Sequence, residues 1–154
     1  MNSLATGGYI ATNAFRSSTS LQEVLIPGNA VSALGAYSFY ACSELSSVKT
    51  NSNEITINTY CFGNCQSLKY VSIPNLKSIS TYAFTGHSSS KPLSLDFSAR
   101  TVDYVPPVQT NSFANSVSSI VCIVPSEMEQ QWRDADVWST FIDNNVVQLK
   151  SAAS

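Results

Sequence analysis

Apolar residues return along this chain at an interval far longer than a helical or strand period. Phe15, Phe39, Phe62 and Phe84 stand 24, 23 and 22 residues apart. Five positions before each lie Ile10, Leu34, Ile57 and Ile79, and two before lie Asn13, Tyr37, Tyr60 and Tyr82. Six after the first three come Leu21, Leu45 and Leu68, and nine after come Val24, Val48 and Val71. Pro27 and Pro74 both follow their Phe by twelve residues. Phe113 arrives after a gap of 29, yet keeps Val108 at minus five and Pro125 at plus twelve. Columns held in step over this length define a repeat, and a repeat decides the fold before any single motif does.

Each unit breaks into the same parts. "LQEVLIP", "LSSVKT" and "LKYVSIP" alternate apolar and polar residues, the period of a half-buried strand, and proline ends the strand because it has no N–H to donate. "VSALG" and "LKSIS" predict a second short strand around the minus-five column, and "YSFYAC" and "YCFGNC" predict turns that send one aromatic inward. One such unit cannot bury its own apolar face, so the units must stack. The expected fold is therefore mainly β: a solenoid of about five units, each of 22–29 residues, with a strand spacing of ~4.8 Å. The stretch between Phe84 and Phe113, with its Ser run and Pro106-Pro107, predicts an ordered bulge over one edge, with Leu95 and Phe97 pointing inward. After Pro125 the period changes. Ser126 with Glu129 three residues later predicts a capping box, and Met128, Trp132, Phe141 and Ile142 predict the apolar face of two short helices broken near 134–136. The expected organisation is one domain over 1–149, with repeats over 9–125, a helical cap over 126–149 and a tail at 150–154.

Composition narrows the function classes. The chain is 44% hydrophobic but only 12% charged, about half the ~25% usual for soluble domains. A net charge of −2 gives no electrostatic reason to expect nucleic acid as partner. The longest purely apolar run, 120–124, falls far short of the ~20 residues of a membrane-spanning helix, so no membrane insertion is expected. The opening "MNSLATGGYIATNAF" has neither the basic nor the long apolar stretch of a signal peptide. The first unit, with Ile10 and Phe15, has little ahead of it to cover its apolar edge. Either further upstream repeats or self-association through that edge is expected.

These columns resemble the BspA-type leucine-rich repeat family, whose unit runs from isoleucine through an aromatic, Ala-Phe, Cys and Leu to Val-x-Ile-Pro. "INTYCFGNCQSLKYVSIP" is similar almost position for position, and "LGAYSFYACSELSSV" and "IATNAFRSSTSLQEVLIP" with substitutions. The segment from "LDFSARTVDYVPPVQTNSF" to "IVPSEMEQQWRDADVWSTF" resembles the family's closing unit, and the likeness covers residues 9–149. It implies a leucine-rich-repeat solenoid of the kind found on surface or secreted proteins of host-associated bacteria, some parasites and gut bacteriophages. It implies adhesion to host proteins or partner cells, and no catalysis by the repeat.

The candidate chemistry is thin. Cys42 and Cys65 share the column three residues after Phe with Ser18 and His87. Zinc, a Cys42–Cys65 disulfide and plain core packing are the readings open to them. The resemblance favours packing, with Cys65→Ser expected to cost more than Cys65→Ala through a hydroxyl lacking a partner. No nucleophile elbow accompanies His87, the only histidine, and neither an enzyme, a cofactor nor a metal is expected. Tyr37, Tyr60 and Tyr82 read as a stiffening ladder sooner than a sugar platform, and Trp132 and Trp138 as cap core. On the strands, Leu25, Lys49, Ser72, Asp96 and Ile123 are expected to form one outward row, and Glu23, Ser47 and Tyr70 a second. Lys49, Lys69, Tyr70 and Asp96 are the candidate binding residues. The expected role is an extracellular or cell-surface adhesion module contacting a protein or glycan on a host or neighbouring cell. The alternative is a structural spacer or tip segment of a larger bacterial surface or virion assembly.

Overall fold

Alternation in the main strands puts Val24, Val48, Val71, Leu95 and Cys122 side by side, and the chain folds to bury that column. The computed structural model describes residues 8–27, 31–50, 54–87, 92–116 and 119–152. Two parallel sheets form. The larger runs in the order β10 (Val147–Ser151), β9 (Ile120–Val124), β8 (Leu93–Asp96), β6 (Tyr70–Ser72), β4 (Ser47–Thr50) and β2 (Glu23–Ile26). The smaller holds β1 (Gly8–Ile10), β3 (Val31–Leu34), β5 (Thr56–Ile57) and β7 (Ser78–Ile79), extended by a bridge from Ile79 to Val108. Parallel neighbours with long crossovers are what stacked coils require, and the fold is a β-solenoid with a short helical region near its C-terminus.

The segment carrying each Phe is a third ladder. Around Phe39, Phe62 and Phe84 the residues two before and two after hold positive φ: Tyr37, Tyr60 and Tyr82 at 57°, Ala41 at 58°, Asn64 at 54° and Gly86 at 70°. A left-handed non-glycine residue costs roughly 1–2 kcal/mol, and here hydrogen bonds hold it. The N–H groups of Tyr37, Phe39 and Ala41 donate to the carbonyls of Thr59, Cys61 and Gly63 in the next coil, at 2.8–3.0 Å. Those of Ser38, Tyr40 and Cys42 close turns three residues back. Donors are thus satisfied between coils and within them by turns. Gly63 is required for another reason: a Cβ there would stand 2.8 Å from the Tyr40 ring.

Inside, the phenylalanines stack as a column, with centroids 5.4 Å apart from Phe15 through Phe84 and 5.7 Å from Phe84 to Phe113. Each such pair adds about 0.5–1.5 kcal/mol beyond its buried area. In the fourth coil, Tyr70 and Ile79 are nine residues apart, whereas their partners Ser94 and Val108 are fourteen apart. Most of the insertion therefore lies after β8. Leu95 and Phe97 point inward as expected, while the Ser run at 88–90 lies outside the described residues.

The C-terminal region differs from expectation in two ways. No capping box forms: Ser126 begins a 3-10 turn (Ser126–Met128) behind Pro125, no side chain caps it, and Glu129 instead accepts from Arg133 and Ser151. Proline's fixed φ starts the turn, which leaves Ser126 no capping role. After α1 (Glu129–Arg133) and α2 (Trp138–Asp143), the chain returns as β10, which pairs along its whole length with β9. A sixth strand therefore follows the five Phe units, and it runs through Ser151, where a tail was expected.

Candidate recognition face of the six-stranded sheet

The pairing register places the outward rows as the alternation predicts. Leu25, Lys49, Ser72, Asp96 and Ile123 are successive partners, and Lys150 extends the row. Glu23, Ser47, Tyr70, Ser94, Val121 and Gln148 make the second. By contrast, none of the four strands of the smaller sheet carries a charged residue.

Three of the four candidate residues meet. The Tyr70 hydroxyl donates to Asp96 Oδ2 at 2.5 Å, and Lys49 Nζ lies 5.8 Å from the Tyr70 ring centroid, within cation–π range. Asp96 Oδ1 accepts the Ser98 N–H at 2.9 Å. Partial burial works against the Asp96 charge, but the bonds from Tyr70 and Ser98 outweigh it and hold the carboxyl below its usual range. Burial and the carboxylate beside it push the Tyr70 hydroxyl above its ordinary value. The cluster is thus a neutral phenol fixed between an ammonium and a carboxylate. Lys69 is exposed at the entry to β6, its N–H bonded to Ser46 O. No described contact brings its ammonium to the other three.

The cysteine column has a definite physical role. Cys42 Sγ donates to Phe15 O and Cys65 Sγ to Phe39 O, each at 3.1 Å, and Ser116 Oγ donates to Phe84 O at 2.7 Å. A small donor three residues after Phe thus satisfies the Phe carbonyl of the preceding coil. His87 fills the same column, buried, with Nε2 on Leu68 O and its backbone N–H on Ser116 Oγ. The expectation that a serine at 65 would lack a partner is therefore corrected, because Phe39 O is there to accept. All four cysteines are free and buried. Burial raises the pKa of the Cys61 thiol to about 12 and those of Cys65 and Cys122 higher still. Within CFGNC, Cys61 shares a hydrogen bond with Ser38 Oγ and Cys65 donates to Phe39 O, both inside the core.

The tyrosines stack on one another, Tyr37–Tyr60 at 4.9 Å and Tyr60–Tyr82 at 5.0 Å, nearly parallel. Ring faces consumed by neighbouring rings are not open to a sugar. Arg16 covers the outer end of the ladder, its guanidinium 4.8 Å from the Tyr37 ring and 5.0 Å from Tyr40. Trp132 and Trp138 are fully buried.

Sequence reasoning passed over Arg100. It is buried, donating to Pro74 O, Leu76 O and Tyr104 O at 2.9 Å and lying 4.8 Å from the Tyr104 ring and 5.8 Å from that of Trp132. Tyr104 in turn donates to Glu54 at 2.6 Å. This group pins the inserted corner to the solenoid. It falls in no repeat column, so no periodicity could reveal it.

The pattern that describes the BspA type leucine rich repeat region matches residues 8–130 in six copies. No curated protein matches the chain.

Proposed function

The chain belongs to the BspA-type leucine-rich repeat family, and from that premise we propose that it is a non-enzymatic extracellular recognition module. Its family is surface-associated, its repeats generally mediate protein interactions, and they are typically not catalytic. None of the described helices is long and apolar enough to cross a membrane. In this reading the module adheres to a protein or glycan on a host or neighbouring cell. Contact runs through the six-stranded face, with Tyr70 as anchor, Lys49 and Asp96 flanking it and Lys69 at the rim.

One observation carries this reading. Tyr70 is held rigid by Asp96 and Lys49 on a face whose neighbouring positions, Ser47, Ser72 and Ser94, are small. An ordered aromatic offers contact area at little entropic cost, which is why tyrosine recurs in binding surfaces. A spacer or tip segment of a larger surface or virion assembly is the second reading, favoured by the unbroken Phe and Tyr stacks that stiffen the rod. The test is a screen against glycans and surface proteins, followed by variants. Tyr70→Ala and Lys49→Ala should weaken binding at least about tenfold, the equivalent of one modest hot spot. Full affinity in both, together with loss on changing Asp103 in the inserted corner, would make the sheet mere scaffold and the corner the reader.

A further inference from the structure

The Tyr70 hydroxyl, which donates to Asp96 Oδ2, also meets the side-chain hydroxyl of Ser72. Ser72 stands two residues further along β6, roughly 6.6 Å away, and Asp96 is its partner on β8. A tyrosine hydroxyl cannot touch both from an upright ring, so the ring lies along the sheet. One of its faces is turned to the strands, which leaves Tyr70 half-buried, and the other is turned to solvent.

The polar groups around this ring divide into engaged and free. Asp96 accepts from Tyr70 and from the Ser98 N–H. Lys49 has no carboxylate: its neighbours in the row are Leu25 and Ser72, and the one ion pair among the described residues joins Arg133 to Glu129. Its ammonium keeps to the ring, 5.8 Å from the centroid. Ser47 and Ser94 flank Tyr70 in the second row, and neither hydroxyl bonds to another described residue. Glu23, the acid in that row, lies two strands from Tyr70. An open ring face, a free ammonium beside it and two free hydroxyls thus fall within two strand spacings, about 10 Å. A patch of that width is well short of the ~800 Å² per partner of a stable protein interface. It does accommodate a sugar unit.

Resting on the reading of this face as the contact surface, we propose that its ligand is an acidic glycan. A uronic acid unit stacks its C–H face on Tyr70 and pairs its carboxylate with Lys49. The flat side of a pyranose carries weakly positive C–H groups, which suit the negative face of an aromatic ring. The sugar hydroxyls reach Ser47 and Ser94 on either side of that ring. Lys49 and Asp96 stand on opposite sides of Ser72 in one row, and this sets the direction. A carboxylate turned toward Asp96 would meet like charge, and one turned toward Lys49 supplies the counter-charge the ammonium lacks. An acidic peptide brings the carboxylate without the flat face, and a neutral glycan brings the face without the charge.

The test is calorimetric titration of the full chain with three probes. They are uronic acid oligosaccharides of differing linkage, the same oligosaccharides with their carboxyls reduced to hydroxymethyl groups, and a glutamate peptide of equal charge. An acidic oligosaccharide should bind, and carboxyl reduction should weaken it at least about tenfold, the scale of one charge-assisted contact. Lys49→Gln should erase the difference between the acidic and reduced forms, and Tyr70→Ala should abolish binding of both. Melting curves close to the parent's, as surface changes give, show that both variants fold. Equal affinity for the reduced sugar, or a glutamate peptide that binds as tightly, would overturn the proposal. So would a failure of every oligosaccharide to bind. If a protein from the surface screen then still depends on Tyr70, the glycan assignment falls and the face stands. If nothing depends on Tyr70, the reading of the face falls with it.

Discussion

The two ends of this solenoid treat the same column of side chains in opposite ways. At the C-terminal end Phe113 is 5% exposed, covered by Phe141 edge-on at 5.4 Å and by Trp138 at 6.2 Å, with Trp132 continuing inward to Phe97. At the N-terminal end, among the described residues, the one ring stacked on Phe15 is that of Phe39, and 41% of its surface remains accessible. The residue type is identical; the difference lies in what is stacked on it. In a solenoid each coil is stabilised by its nearest neighbours, so the value of a repeat residue depends on its place in the stack. The columns identify the core, but position within the array decides what each core residue contributes.

Truncating the aromatic at different depths tests this directly. Phe62→Ala, in the middle of the stack, should cost about 3–5 kcal/mol, the usual range for a buried aromatic. Trp138→Ala should cost as much, because it also breaks the bond from Nε1 to Pro106 O at 2.7 Å. Phe15→Ala should cost less than about 2 kcal/mol, since much of its ring already meets water. Urea unfolding of the three variants ranks them, and equal losses at 15 and 62 would mean the open end is covered after all.

The cysteine column sharpens the same contrast at smaller magnitude. Cys65→Ala removes the Sγ donor to Phe39 O in the closed interior, leaving that carbonyl the Cys42 N–H, and should cost about 1 kcal/mol. Cys65→Ser should cost less, because Ser116 already makes the equivalent bond to Phe84 O. Cys42→Ala should be milder than Cys65→Ala, since the carbonyl it abandons belongs to the half-covered Phe15. Thermal melts of the three settle the ranking. A serine at 65 worse than an alanine would show that volume, and not the donor, governs the column.

Much of this could be read from the sequence, and the failures share one cause. The Phe, Leu and Val columns recur, so the two outward rows and the inward Leu95 and Phe97 follow from counting alone. Lys49, Tyr70 and Asp96 were placed on successive strands by the same count. That they touch could not be counted, because the Tyr70–Asp96 bond depends on side-chain reach across β6 and β8. Arg100 belongs to no column, and β10, although its register extends the columns, has no Phe unit ahead of it from which to count. The last coil replaces its Phe turn by α1 and α2, so the aromatics ahead of the sixth strand, Trp132, Trp138 and Phe141, stand outside the Phe register. The Ser126 capping box failed because the sequence signature is indifferent to whether Pro125 starts a 3-10 turn instead.

Well inside the stack, the Tyr70–Asp96 pair predicts a pH effect that the open edge should not show. Asp96 is held below its ordinary pKa, so its contribution to stability is fully present above the unfolded value of ~3.9 and is lost as pH falls through the lower folded value. Tyr70→Phe removes the hydroxyl while keeping the ring, and should move the Asp96 pKa back upward. Its melting temperature should then fall less steeply than the parent's between about pH 4 and pH 2. An NMR titration of the Asp96 carboxyl in both proteins provides the check, and an unmoved midpoint would assign the depression to Ser98 alone.

Leu25 gives the smallest effect and the strictest test of the open end. It begins the row that continues through Lys49 and Ser72, and it is 69% exposed on the outermost strand of the larger sheet. A leucine already in water gives up little on becoming polar, so Leu25→Ser should change stability by no more than about 0.5 kcal/mol. The same exchange one position earlier, Val24→Ser, enters a core column and should cost more even in this half-covered coil. Urea unfolding of the pair at one protein concentration separates them. If Leu25→Ser instead costs over about 1 kcal/mol, and the loss grows with protein concentration, the leucine is buried in an assembly. The N-terminal end would then be no more open than the end closed by Trp138 and Phe141.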